Sequence, residues 1–228
     1  MKAKPIYIIG SVALLLIVLL IIGGNLGRNP DEQSTDMSHA SFSRKDKKAG
    51  GAYAAFKMLP ELFKHHSVQV VTKPCTRTFQ KEKELWYRGN VYILVAAELF
   101  TTEKDVDAML EYVAPGNELF IAINTPDPLL AKLLKFTTVE SDNLQHRKTG
   151  FVQQYQDTTI PLNASFNYAG MISGSYFART DSSTTTILGA NYKNKPNFIR
   201  IAYNKGYIYI LLNPYTLSNY FLLSKNNK

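Results

Sequence analysis

Cysteine is almost absent from this chain, whose 228 residues include only Cys75. A lone thiol excludes an internal disulfide, so the folded part must be stable through its apolar core. Cys75 follows Pro74 in a segment that we predict to be a loop. We interpret it as a half-buried small hydrophobe and not as a nucleophile.

Sequence patterns of the common catalytic and metal sites are missing too. No Gly-x-Ser-x-Gly turn follows an apolar run, and Gly50-Gly51 lacks the Lys-Ser/Thr of a phosphate-binding loop. His65 and His66 would point in different directions on a helix, while His39 and His146 have no acidic or cysteine neighbours at ligand spacing. The sequence therefore predicts no catalytic residue, no metal and no cofactor.

Acidic residues are in deficit, since 18 Asp and Glu stand against 26 Lys and Arg and give a net charge of +8. The basic residues are scattered, however, and the one dense run, residues 44–48, is interrupted by Asp46. Nucleic-acid binding, which usually needs a basic patch or stripe, is therefore not predicted.

The N-terminus carries a long uncharged apolar run over residues 6–22. With the two following glycines it would form a helix of about 29 Å, close to the thickness of the hydrocarbon core. A cleaved signal peptide is the alternative, but no small-x-small cleavage site follows. Because Lys2 and Lys4 precede the run, we expect a retained, single-pass anchor with its N-terminus in the cytoplasm. Residues 1–23 are then tail and anchor, 24–41 a polar linker, and 42–228 an extracytoplasmic domain.

Within that domain, helical and strand-like patterns alternate. Residues 91–96 and 119–123 are continuous apolar runs, as expected of strands buried on both faces, and a shorter strand is predicted at 67–71. Helices are predicted at 52–63, after Thr102 and after Asp127, and a β-hairpin at 198–212. This order predicts a three-layer α/β domain with a mostly parallel sheet, which the C-terminal hairpin extends in antiparallel fashion.

The segment from Phe42 to Tyr53 resembles the entry motif of the bacterial membrane-protein family called domain of unknown function 4350. The matching residues are Phe42, Ser43, Asp46, Lys47, Gly51 and Tyr53. Residues 116–121 and 212–220 look like two further segments of that family. The resemblance implies a fold similar to glutamine-amidotransferase domains, with no established activity, and members usually continue into a second membrane-spanning helix.

We therefore expect a non-catalytic binding or scaffold domain in the bacterial inner membrane that faces the periplasm. It would contact lipid through residues 6–22 and bind a membrane-protein partner. A degenerate amidotransferase-like domain that binds a small polar ligand is the first alternative, and a hydrolase with an unrecognised site is the second. Asp46 and Lys47 are the candidate binding residues. Phe42, Gly51 and Tyr53 are interpreted as structural.

Overall fold

The computed structural model describes residues 37, 39–81, 87, 89–141, 151–155, 164–168 and 172–223. The predicted anchor and most of the predicted linker lie outside these residues. In the part of the chain that the structure describes, no helix has both the length and the apolar character needed to cross a bilayer.

The described residues form five α-helices, one short 3-10 helix and nine strands. The helices are α1 (Tyr53–Leu62), α2 (Cys75–Lys81), α3 (Glu103–Val113), α4 (Pro128–Leu133) and α5 (Asn219–Leu223), and the 3-10 helix is Pro214–Leu217. The strands are β1 (Val91–Val95), β2 (Glu118–Ala122), β3 (Thr137–Val139), β4 (Phe151–Tyr155), β5 (Ala164–Tyr168), β6 (Tyr176–Arg179), β7 (Thr185–Ala190), β8 (Pro196–Tyr203) and β9 (Gly206–Leu211).

Seven strands form one mixed sheet in the order β1-β2-β9-β8-β7-β4-β5, and β3 pairs with β6 separately. The β1–β2 and β2–β9 pairs are parallel. The β9–β8, β8–β7, β7–β4 and β4–β5 pairs are antiparallel. The prediction of a mostly parallel sheet is therefore wrong, because residues 151–203 add antiparallel strands that carry no βαβ pattern.

The hairpin predicted at 198–212 forms, but its predicted placement as an antiparallel extension of the sheet is wrong, because it lies in the middle of the strand order. Its second strand, β9, lies between β2 and β8 and pairs in parallel with β2, with Phe120 beside Tyr209. The antiparallel part of the sheet thus begins at β8. The predicted helices after Thr102 and Asp127 also form, each with the expected side-chain cap.

One face of the large sheet is covered by α2, α3 and α4. Its core packs Val106 and Met109 of α3 and Leu130 of α4 against Leu119 and Ile208 of the central strands. On the opposite face, a second cluster includes Met37, Phe42, Ile172, Tyr215 and Phe221 and receives Val95 from the end of β1. Met37, which the sequence analysis assigns to the linker, is buried there.

That second cluster covers only part of its face, so the predicted three-layer arrangement is incomplete among the described residues. Val91 and Ile93 of β1 are 39% and 38% exposed on the uncovered part, although their run was predicted to be buried on both faces. The strand predicted at 67–71 is also wrong. Val68 and Val70 lie exposed outside any strand, since that segment pairs with no strand of the described sheet.

Candidate functional site

The parallel strands β1, β2 and β9 end at the same side of the sheet, where α/β proteins commonly bind ligands. Asn124 follows β2 there, and its Nδ2 donates to the Tyr215 hydroxyl at 3.4 Å. Its Oδ1 is buried and has no hydrogen-bond partner. Burial raises the pKa of Tyr215, while the hydrogen bond with Asn124 lowers it. The carboxyl end of the strands therefore holds one unsatisfied acceptor.

Aromatic side chains close this end of the sheet. The rings of Phe42 and Tyr215 lie 5.3 Å apart, and these residues are only 6% and 4% exposed. Tyr155 of β4 reaches the same end. Burial raises the pKa of Tyr155 to about 12, although a hydrogen bond with Thr216 lowers it. A shallow cavity of about 540 Å³ lies elsewhere, between α2 and α3, with Phe79, Thr102 and Asp105 in its lining. The carboxyl end thus offers little open space to a ligand.

The predicted entry motif, residues 42–53, forms a closed loop beside this end. Phe42 N donates to Gly50 O, and Ala52 N donates to Ser43 O, both at 3.0 Å. Phe42 has a positive φ of 48° with its ring buried against Tyr215. A Cβ at Gly51 would overlap the Asp46 carbonyl oxygen, which gives the glycine its packing role.

The two candidate binding residues of the entry motif differ in their surroundings. The Asp46 carboxylate accepts a hydrogen bond from Ser41 Oγ at 2.6 Å and from Lys48 N at 2.9 Å. These hydrogen bonds, that of Ser41 above all, lower the pKa of Asp46. Lys47 is exposed, with its Nζ 5.1 Å from the centre of the Tyr53 ring. A binding role for Asp46 and Lys47 stays a prediction.

A different surface, which was not predicted from the sequence, lies on the part of the sheet that the second cluster leaves uncovered among the described residues. We call it the open face and define it by seven residues from four strands. They are Val91, Ile93, Glu118, Phe120, Arg200, Tyr207 and Tyr209. The strand register places Ile93 beside Phe120, Phe120 beside Tyr209, and Tyr209 beside Arg200. An apolar and aromatic band thus crosses the three adjacent strands β1, β2 and β9, and Arg200 of β8 borders it.

The polar groups of the open face centre on Arg200. Its guanidinium carbon lies 5.0 Å from the centre of the Tyr207 ring, a cation–π contact. Burial raises the pKa of Tyr209 and the charge of Glu118 raises it further, whereas Arg200 lowers it by its charge and a hydrogen bond. Among the described residues, the one ion pair joins Lys135 and Asp181 at 3.6 Å. Arg200 therefore has no described carboxylate within ion-pair distance.

Alternation in the sequence was the available signal for this surface. In β9, Tyr207 and Tyr209 alternate with the fully buried Ile208 and Ile210. Such a pattern indicates a strand with one face against the core and the other toward solvent.

Cys75 is also placed differently from the prediction, since it begins α2. It is half-buried, and burial raises the pKa of its thiol. No group of three metal-ligating side chains occurs among the described residues.

Comparisons with known proteins identify a family and a fold. The family model described as Domain of unknown function (DUF4350) matches residues 44–228. No curated protein matches the chain. The mmIFT52 N-terminal domain is similar in structure, with a TM-score of 0.55 and 12% identity over 84% of this chain and 90% of that one. At that identity the likeness shows the fold alone.

Parts of two β-galactosidases are also similar, at lower scores. Gan42B, a GH42 β-galactosidase from G. stearothermophilus, has a TM-score of 0.48 and 14% identity over 76% of this chain and 24% of its own. The β-galactosidase from Bacillus circulans sp. alkalophilus has a TM-score of 0.41 and 12% identity over 59% and 22%. The chain therefore spans about a quarter or less of the length of these enzymes.

Proposed function

Because the chain belongs to the family Domain of unknown function (DUF4350), whose description gives no activity, we propose a function from the geometry of the molecule. The protein is a membrane-anchored, non-catalytic protein-binding domain that faces the periplasm, and the open face is its docking surface. The observation that carries this proposal is the partly exposed apolar and aromatic band across β1, β2 and β9, with Arg200 beside it on β8.

The burial pattern favours a protein partner over a small ligand. A small-molecule site is normally a concave cavity, but at the carboxyl end of the parallel strands the buried rings of Phe42 and Tyr215 pack against each other beside Asn124. By contrast, Val91, Ile93 and Tyr207 leave apolar surface in water, and contiguous apolar surface of that kind is typical of interaction sites. Aromatic and arginine side chains are also the residues that contribute most to binding at protein interfaces.

The open face carries one acidic side chain, Glu118, and one basic side chain, Arg200, and the position of Arg200 indicates the chemistry of a partner. Arg200 is held against Tyr207 and Tyr209 and forms no ion pair with a carboxylate of the described residues. A partner that presents apolar side chains around an aspartate or glutamate would supply that carboxylate and cover the aromatic band. The net charge of +8 favours an acidic partner in the same way.

The apolar run at residues 6–22 supports the membrane part of the proposal. A single-pass anchor in the bacterial inner membrane would hold the domain beside other membrane proteins and confine the search for a partner to two dimensions. We therefore expect that the partner is itself a membrane protein, with its acidic segment on the periplasmic side.

Site-specific photocrosslinking tests the docking surface in cells. A benzophenone amino acid placed at Tyr207 should give one discrete adduct with another protein, and Arg200→Glu should abolish that adduct. The matched control is the same probe at Val139, which is 40% exposed on the separate β3–β6 sheet. An adduct of equal yield from Val139, or one that survives Arg200→Glu, would contradict the proposal.

One observation favours a second candidate, the binding of a small polar ligand at the carboxyl end of the strands. The buried Oδ1 of Asn124 has no donor, and a buried acceptor without a partner is costly. A ligand N–H or O–H group could satisfy it if the Phe42–Tyr215 contact opened. Asn124→Leu would then remove the ligand while leaving the Tyr207 photocrosslink unchanged.

A further inference from the structure

Strand β1 forms one side of the seven-stranded sheet and pairs only with β2 among the described strands. A strand in this position presents backbone N–H and C=O groups that can pair with another extended chain. The open face described above is perpendicular to these groups, so the edge of β1 is a separate surface.

The hydrogen-bonding phase of the β1–β2 pair shows which backbone groups are directed away from the sheet. Glu118 N donates to Asn90 O at 2.9 Å, and Ala96 N donates to Ala122 O at 3.0 Å. In a parallel pair, alternate residues of a strand bond to the same neighbour. The even-numbered residues from 90 to 96 therefore bond to β2. The backbone groups of Val91, Ile93 and Val95 point to the outer edge.

Among the described residues, this edge has no charge, proline or bulge of the kind that usually prevents edge-to-edge pairing. Residues 89–97 read Gly-Asn-Val-Tyr-Ile-Leu-Val-Ala-Ala, with no charge and no proline. No shift of register interrupts the pairing of β1 with β2 along its five residues. The side chains of Val91 and Ile93, which belong to the open face, are also exposed, so the side chains of a second strand would pack beside them while its backbone pairs with the edge.

We propose that β1 is a self-association edge, at which two copies of this chain pair β1 to β1 in antiparallel orientation about a twofold axis beside Ile93. In this register Ile93 lies opposite Ile93 of the second copy, and Val91 lies opposite Val95. All three residues direct their backbone groups outward, so the pairing forms about six hydrogen bonds. The whole facing stretch is neutral, so no like charges meet across the axis. This dimer does not depend on the partner proposed for the open face.

Disulfide trapping tests the register. The full chain in detergent carries Cys75→Ser, so that the introduced thiol is the only one, and is oxidised mildly. Ile93→Cys should give a covalent dimer in high yield, because directly opposite residues have Cα atoms about 5.5 Å apart, within disulfide reach. Val91→Cys should give little, because residue 91 of each copy lies roughly 14 Å along the strand from its counterpart.

Ile187→Cys is the matched control for collision, since Ile187 is 47% exposed on β7 in the interior of the sheet order. A yield from Ile93→Cys no greater than that from Ile187→Cys would overturn the proposal. Equal yields from Ile93→Cys and Val91→Cys would overturn the twofold axis at Ile93.

Mass measurement gives an independent readout that needs no oxidation. Light scattering should show a dimer for the unaltered chain and for Ile187→Lys, and a monomer for Ile93→Lys, which brings two ammonium groups together at the axis. Circular dichroism and a thermal melt check that Ile93→Lys folds. A monomer for the unaltered chain across the micromolar range would refute self-association, whatever the open face binds.

Discussion

Asn219, at the start of α5, joins the entry motif to the C-terminal part of the chain. Its Nδ2 donates to the carbonyl oxygens of Asp46 at 2.9 Å and Lys48 at 2.6 Å, and its Oδ1 accepts from Ala54 N at 2.7 Å. Its backbone N donates to Gly51 O at 2.7 Å. Two of the three segments that carry the family resemblance, residues 42–53 and 212–220, are thus in direct contact although they are far apart in sequence.

Gly51→Ala should destabilise the domain, because the new Cβ would overlap the Asp46 carbonyl oxygen inside this network. We expect a loss of about 1–3 kcal/mol in the free energy of unfolding, as for other overpacked sites. Urea denaturation followed by circular dichroism measures it.

Gly89→Ala is the comparison variant for Gly51→Ala. Gly89 has a positive φ of 90° but open space around its Cβ position. Its replacement should cost about 1–2 kcal/mol through backbone conformation alone. If Gly51→Ala proved neutral, the tight loop would not be needed for stability, and a binding role for the entry motif would gain support.

At the scale of single elements, the N-terminus of α3 is fixed by two reciprocal side-chain hydrogen bonds. The Thr102 side chain accepts from Asp105 N, and the Asp105 carboxylate accepts from Thr102 N, which together make a capping box. Thr102→Ala should therefore lower the free energy of unfolding by about 1 kcal/mol at neutral pH. Glu103→Ala, in the same first turn and exposed, should change it by less than about 0.5 kcal/mol.

The effect of Thr102→Ala should also depend on pH. The hydrogen bond from the Thr102 hydroxyl holds the pKa of Asp105 below its usual value of 3.8. A carboxyl group whose pKa is lowered in the folded state stabilises the fold above its unfolded pKa and loses that contribution as the pH falls through the folded value. The stability difference between wild type and Thr102→Ala should therefore shrink in acid; a difference that grew below pH 3.8 would contradict the capping box.

The elements that the sequence predicted correctly are those whose signals lie in neighbouring residues. The helix starts at Thr102 and Asp127 and the hairpin at 198–212 depend on neighbouring residues, and the sequence predicted all three. The exposure of Ile93 depends on which strand lies beside β1, and nothing in residues 91–96 carries that information. Val68 and Val70 alternate like a strand but have no partner, so a local pattern without a pairing strand was misleading. To predict the open face, one would have to know that β9 lies between β2 and β8, and no local sequence pattern gives that order.

For the whole molecule, the predicted orientation in the membrane can be tested directly. Alkaline phosphatase fused after Lys228 should be active, because the positively charged flank of the apolar run predicts a cytoplasmic N-terminus and a periplasmic domain. A cytoplasmic reporter fused at the same position should be inactive. The reverse pair of results would invert the predicted orientation.

The central position of β9 has a consequence for biosynthesis. Strand β2 pairs with a neighbour that is translated 89 residues later, since Glu118 pairs with Tyr207. Until residues 206–211 leave the ribosome, β2 is paired with β1 alone, and the core between the sheet and α3 lacks Ile208 and Ile210. Such long-range pairing slows folding and lengthens the exposure of unpaired strands. A nascent chain arrested before β9 should therefore be a good substrate for chaperones and proteases.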